Sequence, residues 1–265
     1  LFHANRNGPP AFPASQAAAT PTYVGAAACA GCHATETKAW QGSHHDLAMQ
    51  HATAQTVLGD FNQAHYTHDG VTTTFSRRAG QFVVNTDGPD GKLTDFVVRY
   101  TFGIAPLQQY LVDLPGGRLQ ALSIAWDSRS KAAGGQRWFH LYPKEHIDYN
   151  DELHWTKRAQ NWNYMCAECH STHVAKNFDT ATNRFKTTWS EINVACEACH
   201  GPGSLHVRWA KQAPGSESYE RKGLVLLLDE RRGARWALNA DAKPMRTPAR
   251  TTTIEIDTCA RCHSR

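Results

Sequence analysis

Four times along the chain, two cysteines stand two residues apart with a histidine directly after the second. The sets are Cys29, Cys32 and His33; Cys166, Cys169 and His170; Cys196, Cys199 and His200; and Cys259, Cys262 and His263. Together they use all eight cysteines of the sequence. Two thiols at this spacing can add across the two vinyl groups of one porphyrin, and the adjacent histidine is then presented to the iron as proximal ligand. Structural zinc would account for the paired cysteines, but it gives no reason for a histidine after every second one. The two central pairs also lie further apart than the usual ribbon spacing. A thioredoxin-like redox motif occurs once, near a βαβ unit, and a disulfide framework leaves the four histidines without a role. The chain is therefore expected to carry four covalently attached haem c groups.

The far faces of four irons come next. Fifteen histidines, four of them proximal, leave eleven, against three methionines. Mostly bis-histidine and hence low-potential haems are expected, with Met49 and Met245 as possible exceptions of raised potential. Met165 directly precedes Cys166 and is badly placed for the far face of that haem. His206 follows the turn Gly201-Pro202-Gly203 and opens a helical stretch, which aims it at a neighbouring haem rather than its own. In the segment from Trp40 to Gln50, read as a helix running on from the first motif, one of His44 and His45 is a candidate. His154, among aromatics and just upstream of the second motif, is another. His140, at the end of an apolar run, is a candidate or a satisfied core histidine. His51 and His3 stand in reserve. His173 follows its own proximal ligand by three residues, too close for the opposite face, and His65 and His68 read as surface.

The surrounding composition is thin for 265 residues: 41% hydrophobic, 20% charged, with 19 glycines. Apolar porphyrin rings would supply core that the side chains lack, so haem attachment and folding are expected to be coupled. A net charge of +4, with no block of like charges, gives no nucleic-acid arm. The longest apolar run, 223–228, is far short of a membrane span and reads as a buried strand or helix turn. An opening Leu1 without a basic-then-apolar leader fits a mature chain whose export signal has been removed, or a trimmed one.

The elements that must hold these groups read as a mainly α and irregular fold organised around four haems. Residues 1–25, rich in Ala, Pro, Asn and Gly, form an extended arm; 26–70 are the helical segment of the first haem; 141–265 carry the other three. Between them, 71–140 hold a β-rich insert in which alternation and turn residues mark strands from about 71 to 126. Two short strands are expected at 224–228 and 234–240. The chain stops two residues after His263, which suggests either a cut there or another chain covering the last haem.

The blocks SHHDLAM, YTFG, LQQYLVDLPGGRLQALSIAWD, GGQRWFHLYP, LHWTKRAQNWNYMCAECHST and CEACHGPGSLH resemble the multihaem cytochromes c often described with tetratricopeptide repeats, themselves related to the tetrahaem electron carrier of nitrifying bacteria. The resemblance runs from Tyr23 to Arg265. It implies an exported, periplasmic or extracellular electron-transfer protein with closely packed haems, and distal ligands at His45 and His206. Relatives continue beyond a fourth motif, which this sequence does not. The leading reading is thus an electron relay with redox-protein partners rather than a catalyst. One alternative is a subunit of an extracellular cytochrome wire, assembled through the N-terminal arm and the last haem. The other is an oxidoreductase acting on a small nitrogen or sulfur compound at one open haem.

Overall fold

A computed structural model describes residues 19–213 and 219–264 of the chain. After two short helices, α1 (Ala26–Ala30) and α2 (Ala34–Trp40), the backbone turns into strand: β1 (Met49–His51), β2 (Ala64–His68), β3 (Val71–Arg78), β4 (Gln81–Asp87), β5 (Leu93–Phe102), β6 (Leu107–Leu114), β7 (Arg118–Ala121), β8 (Ile124–Asp127) and β9 (Arg137–His140). All pair antiparallel in the order β2-β3-β4-β5-β6-β8-β9, with β1 on β5 and β7 on β6. In β3 and β4, Thr73, Phe75, Phe82 and Val84 are buried, as β-branched and aromatic residues on one face of a pleat should be. A register shift between Val98 and Tyr100 lets β5 pair with β4 along its first half and with β6 and β1 along its second.

The two ends of this path nearly meet. The His140 backbone N–H donates to Tyr66 Oη (3.0 Å), and the His140 ring stacks on His68 at 4.1 Å. The sheet is therefore an almost closed barrel, and it has its own core. Phe61 sits at the centre with its ring edge-on to Phe75, Phe82, Tyr110 and Trp138 at 5.0–5.6 Å, while Phe75 stacks on Trp138 at 3.6 Å. Deleting a ring this enclosed removes both its burial and its edge-to-face partners. Phe61→Ala is expected to destabilise the barrel by about 3–5 kcal/mol, read as a lower urea midpoint; a change under about 1 kcal/mol would contradict the packing described.

Past the barrel lie α3 (Trp162–Met165), α4 (Ala167–His170), the hairpin β10 (Phe178–Asp179) and β11 (Arg184–Phe185), α5 (Cys196–His200), α6 (Ser204–Ala210), the hairpin β12 (Arg235–Leu238) and β13 (Pro244–Thr247), and α7 (Ile254–His263). The barrel positions the second motif through β7. Asn163 Oδ1 accepts from Leu119 N (2.7 Å), and its Nδ2 donates to Gly117 O (3.2 Å) and Thr187 Oγ1 (2.9 Å). Gln120 likewise donates to the carbonyls of Trp155 and Lys157. A second apolar cluster of Met49, Phe102, Leu111, Leu119, Ala121, Trp162 and Ala167 fills the seam between barrel and motif. Gly117, at φ +70°, is needed in this seam, because a Cβ there would stand 2.2 Å from the Phe185 carbonyl oxygen.

These observations correct the expected fold class. Strand outweighs helix, 29% against 22%, so the molecule is mostly β and not mainly α. What reads in sequence as an insert is the principal folded body. It takes in Met49–His51 and Ala64–His68, both upstream of residue 71. The helices stay short because a haem-attachment motif needs only a turn or two of backbone. Residues 224–228 form no strand and pair with no strand among the described residues. Val225 instead lies over Gly201, and two of the five residues, Val225 and Leu227, are exposed.

Candidate haem centres

Each C-x-x-C-H motif lies on a short helix: the first at the junction of α1 and α2, the second on α4, the third on α5, the fourth at the end of α7. Helix α1 packs on α5, and α4 on α7. Thiols of different motifs consequently adjoin: Cys29 lies beside Cys196, Cys169 beside Cys262, and Cys199 near Cys259. None forms a disulfide. Burial, together with the neighbouring thiol, pushes Cys29 and Cys262 up to about 11, and Cys166 rises as far chiefly through burial.

The imidazoles form two facing pairs. The ring centres of His33 and His206 are 6.1 Å apart, and those of His45 and His263 are 6.0 Å apart. Two metal–nitrogen bonds of about 2 Å, with roughly 1 Å from each nitrogen to its ring centre, separate two axial imidazoles by about 6 Å. The spacing in both pairs is thus the one that two imidazoles held by one iron would have. Hydrogen bonds set the tautomers. The Nδ1 of His206 is 2.9 Å from the carbonyl oxygen of Lys222, and that of His170 is 3.0 Å from the carbonyl of Ala48. A carbonyl only accepts, so Nδ1 carries the proton in both rings and Nε2 is left free for a metal. Burial lowers the pKa of His170 and of His200, the latter helped by nearby His33 and His206, which favours the neutral form that binds iron. Among the described residues, neither His170 nor His200 faces a second imidazole in this way.

His45 lies in a turn after α2 rather than in a continuing helix. The segment before α5 holds that turn: Trp40 Nε1 donates to Val194 O (2.9 Å), Val194 N to His45 O (3.1 Å), and Asn193 Nδ2 to both Asp46 O and Oδ1 (2.9 Å each). The third motif thus carries on its upstream flank the support of an imidazole that lies 6.0 Å from the histidine of the fourth.

The remaining candidates lie elsewhere. His154, 3% exposed, sits at one end of the barrel with Nε2 3.0 Å from Asp87 Oδ2 and Nδ1 2.8 Å from Thr156 Oγ1. Both ring nitrogens are engaged, and neither is free for iron. His140 accepts the Tyr142 backbone N–H at Nδ1 (3.2 Å), which leaves its proton on Nε2, the nitrogen an iron would need. His51 packs its ring against Tyr100 at 5.1 Å, His44 is exposed, and His3 lies outside the described residues. His173 stacks on Tyr23 at 3.8 Å, so it is a packing residue. The Ala48 and Lys222 carbonyls, which orient two imidazoles, carry no side-chain signal by which a sequence could reveal them.

The family described as cytochrome c554 and c-prime matches residues 28–77 and 125–201, which take in the first three motifs. The unmatched stretch between falls on the middle strands of the barrel, and the fourth motif lies beyond the match. This match, together with the four C-x-x-C-H sets, supports a multihaem cytochrome c with covalently bound haem. No curated protein matches it. Among solved structures, the outer cell wall cytochrome OcwA is similar at 20% identity and a TM-score of 0.45, over 84% of this chain and 40% of that one. An undecahaem cytochrome from the S-layer of Carboxydothermus ferrireducens is similar at 19% identity and a TM-score of 0.40, over 71% of this chain and 22% of that one. The chain thus spans less than half the length of either. Among the described residues, no helix is long and apolar enough to cross a membrane.

Proposed function

We propose that the chain holds four haem c groups and relays electrons among them in the order first, third, fourth, second motif. The observation that carries this order is the run of adjoining thiols: Cys29 with Cys196, Cys199 with Cys259, Cys262 with Cys169. Groups anchored on neighbouring thiols lie close together, and closeness is what one-electron transfer between them requires. Bound haem supplies the one-electron chemistry, with its potential set by axial ligands, hydrogen bonds to them and burial. The protein's part is to present His33 with His206 and His45 with His263 as axial pairs, and to fix His170 through Ala48. We place the relay outside the cytoplasm, in keeping with the sequence resemblance.

The test is the mass of the holoprotein together with a potentiometric titration followed by electron paramagnetic resonance. The expected result is a mass of chain plus four haems, four one-electron steps, and low-spin signals from at least two bis-histidine haems. A mass showing three haems or fewer, or no bis-histidine signal, contradicts the proposal.

A second reading draws support from His170, which faces no second imidazole among the described residues. An open iron there would admit a small nitrogen or sulfur compound. Cyanide or nitric oxide binding by the unmodified holoprotein supports that reading, and its absence favours a pure carrier.

A further inference from the structure

The outer side of the third motif holds a buried carboxylate that the axial pairs do not account for. Glu197 stands between Cys196 and Cys199, and its side chain is 3% exposed. Its Oε1 accepts the N–H of Gly203 (2.7 Å) and of Val24 (3.0 Å), and its Oε2 accepts Val24 N–H (3.0 Å) and Gly25 N–H (2.8 Å). Burying a carboxylate is costly unless its oxygens are hydrogen-bonded, and here three amides do this with no Lys or Arg beside it among the described residues. All three amides sit at helix entries. Gly25 caps α1, which leads through Cys29 to His33; Gly203 caps α6, which carries His206. A reciprocal pair reinforces the joint, Thr22 N to Ser204 Oγ (2.8 Å) and Ser204 N to Thr22 O (3.1 Å).

We infer that Glu197 is a positioning residue for the first haem: one carboxylate fixes the separation of the two helices that present His33 and His206. This inference rests on the proposed axial pairing. The ring that Glu197 steers belongs to a different haem from the one whose cysteines flank it, so each motif does more than attach its own group. Glu197 lies within electrostatic reach of Cys29, so its negative charge would favour the oxidised state of a haem attached there and hold its potential down.

The experiment compares holoproteins carrying Glu197→Gln, Glu197→Asp, His206→Ala and His45→Ala. Expected for Glu197→Gln is a changed low-spin signal and an upward shift in potential for the haem that His206→Ala alters. The haem that His45→Ala alters should be left as it was. Glu197→Asp, which keeps the charge, should recover part of the potential shift. The inference is overturned if Glu197→Gln leaves the His206-dependent signal and potential unchanged, or moves both haems alike as general loosening would. If the Gln variant does not accumulate with four haems, Glu197→Asp decides: a changed His206-dependent signal supports the clamp, an unchanged one removes it. A silent His206→Ala would remove the axial pairing and the clamp together, whereas a silent Glu197→Gln beside an active His206→Ala removes the clamp alone.

Discussion

Replacing His206 with alanine is expected to turn one low-spin haem high-spin while all four haems stay attached. Attachment depends on cysteines, and His206 touches none of the covalent chemistry. What it offers is a ring already aimed: Nδ1 is held by the Lys222 carbonyl, and the ring stacks on Trp209 at 5.4 Å and 19°. Removing that ring leaves His33 as the only axial imidazole from this pair, and one strong-field ligand does not keep iron low-spin. Loss of a nitrogen donor should also raise the potential of that haem. The change is total for one centre and absent for the others, so electron paramagnetic resonance resolves it directly. His45→Ala should do the same to a different centre. The double variant should show the sum, because the two ring pairs share no residue. Four unaltered low-spin signals in His206→Ala would exclude the pairing.

The second large effect follows from where the apolar core lies. Replacing all eight cysteines with serine prevents haem attachment, and the outcome is expected to be partial folding rather than collapse of the whole chain. The barrel keeps its core of Phe61, Phe75, Phe82, Tyr110, Trp126 and Trp138, none of which depends on a cofactor. The helices around the first, third and fourth motifs have no such reserve, whereas α4 of the second motif packs Ala167 into the seam cluster. Helices α1, α2 and α6 bury no residue, and the one residue buried in each of α5 and α7 is a glutamate. Helices of ten residues or fewer are marginal in water without tertiary packing. The near-ultraviolet dichroism of the barrel aromatics should therefore survive, while amides of α1, α5, α6 and α7 lose hydrogen-exchange protection. Loss of both in one cooperative step would show that the barrel, too, needs haem. This narrows the expectation raised by composition: the shortage of apolar residues belongs to the haem-bearing part, not to the molecule as a whole.

The paired-cysteine sets are plain in the sequence because covalent haem chemistry demands particular residue types at fixed spacing, and the four sets use every cysteine of the chain. The strands from Val71 to Asp127 were legible through alternation and through turns such as Pro115-Gly116-Gly117. Their weight in the fold was not. Four helical motifs invite a helical reading, whereas the three residues of β1 carry no periodicity and form a strand only because β5 lies beside them. The apolar run 224–228 reads as a strand by propensity, but a strand needs a neighbour and this run has none among the described residues. His154 looked like a ligand because aromatics surround it and the second motif is near. In the structure its Nε2 lies 3.0 Å from Asp87, 67 residues earlier, a contact made when the chain after β9 passes the end of β4. The tautomers of His170 and His206 were hidden for the same reason, since each depends on a backbone carbonyl far along the chain.

The two thiols of the third motif face different neighbours, Cys196 toward the first motif and Cys199 toward the fourth. In the proposed order α5 and α7, the helices of the third and fourth motifs, hold the two interior links. A fault at an end of the relay shortens it by one centre, but a fault at α5 strands the first centre and a fault at α7 strands the second. The damage a mutation does to through-current should therefore depend less on how many haems are lost than on whether an interior one, the third or the fourth, is among them.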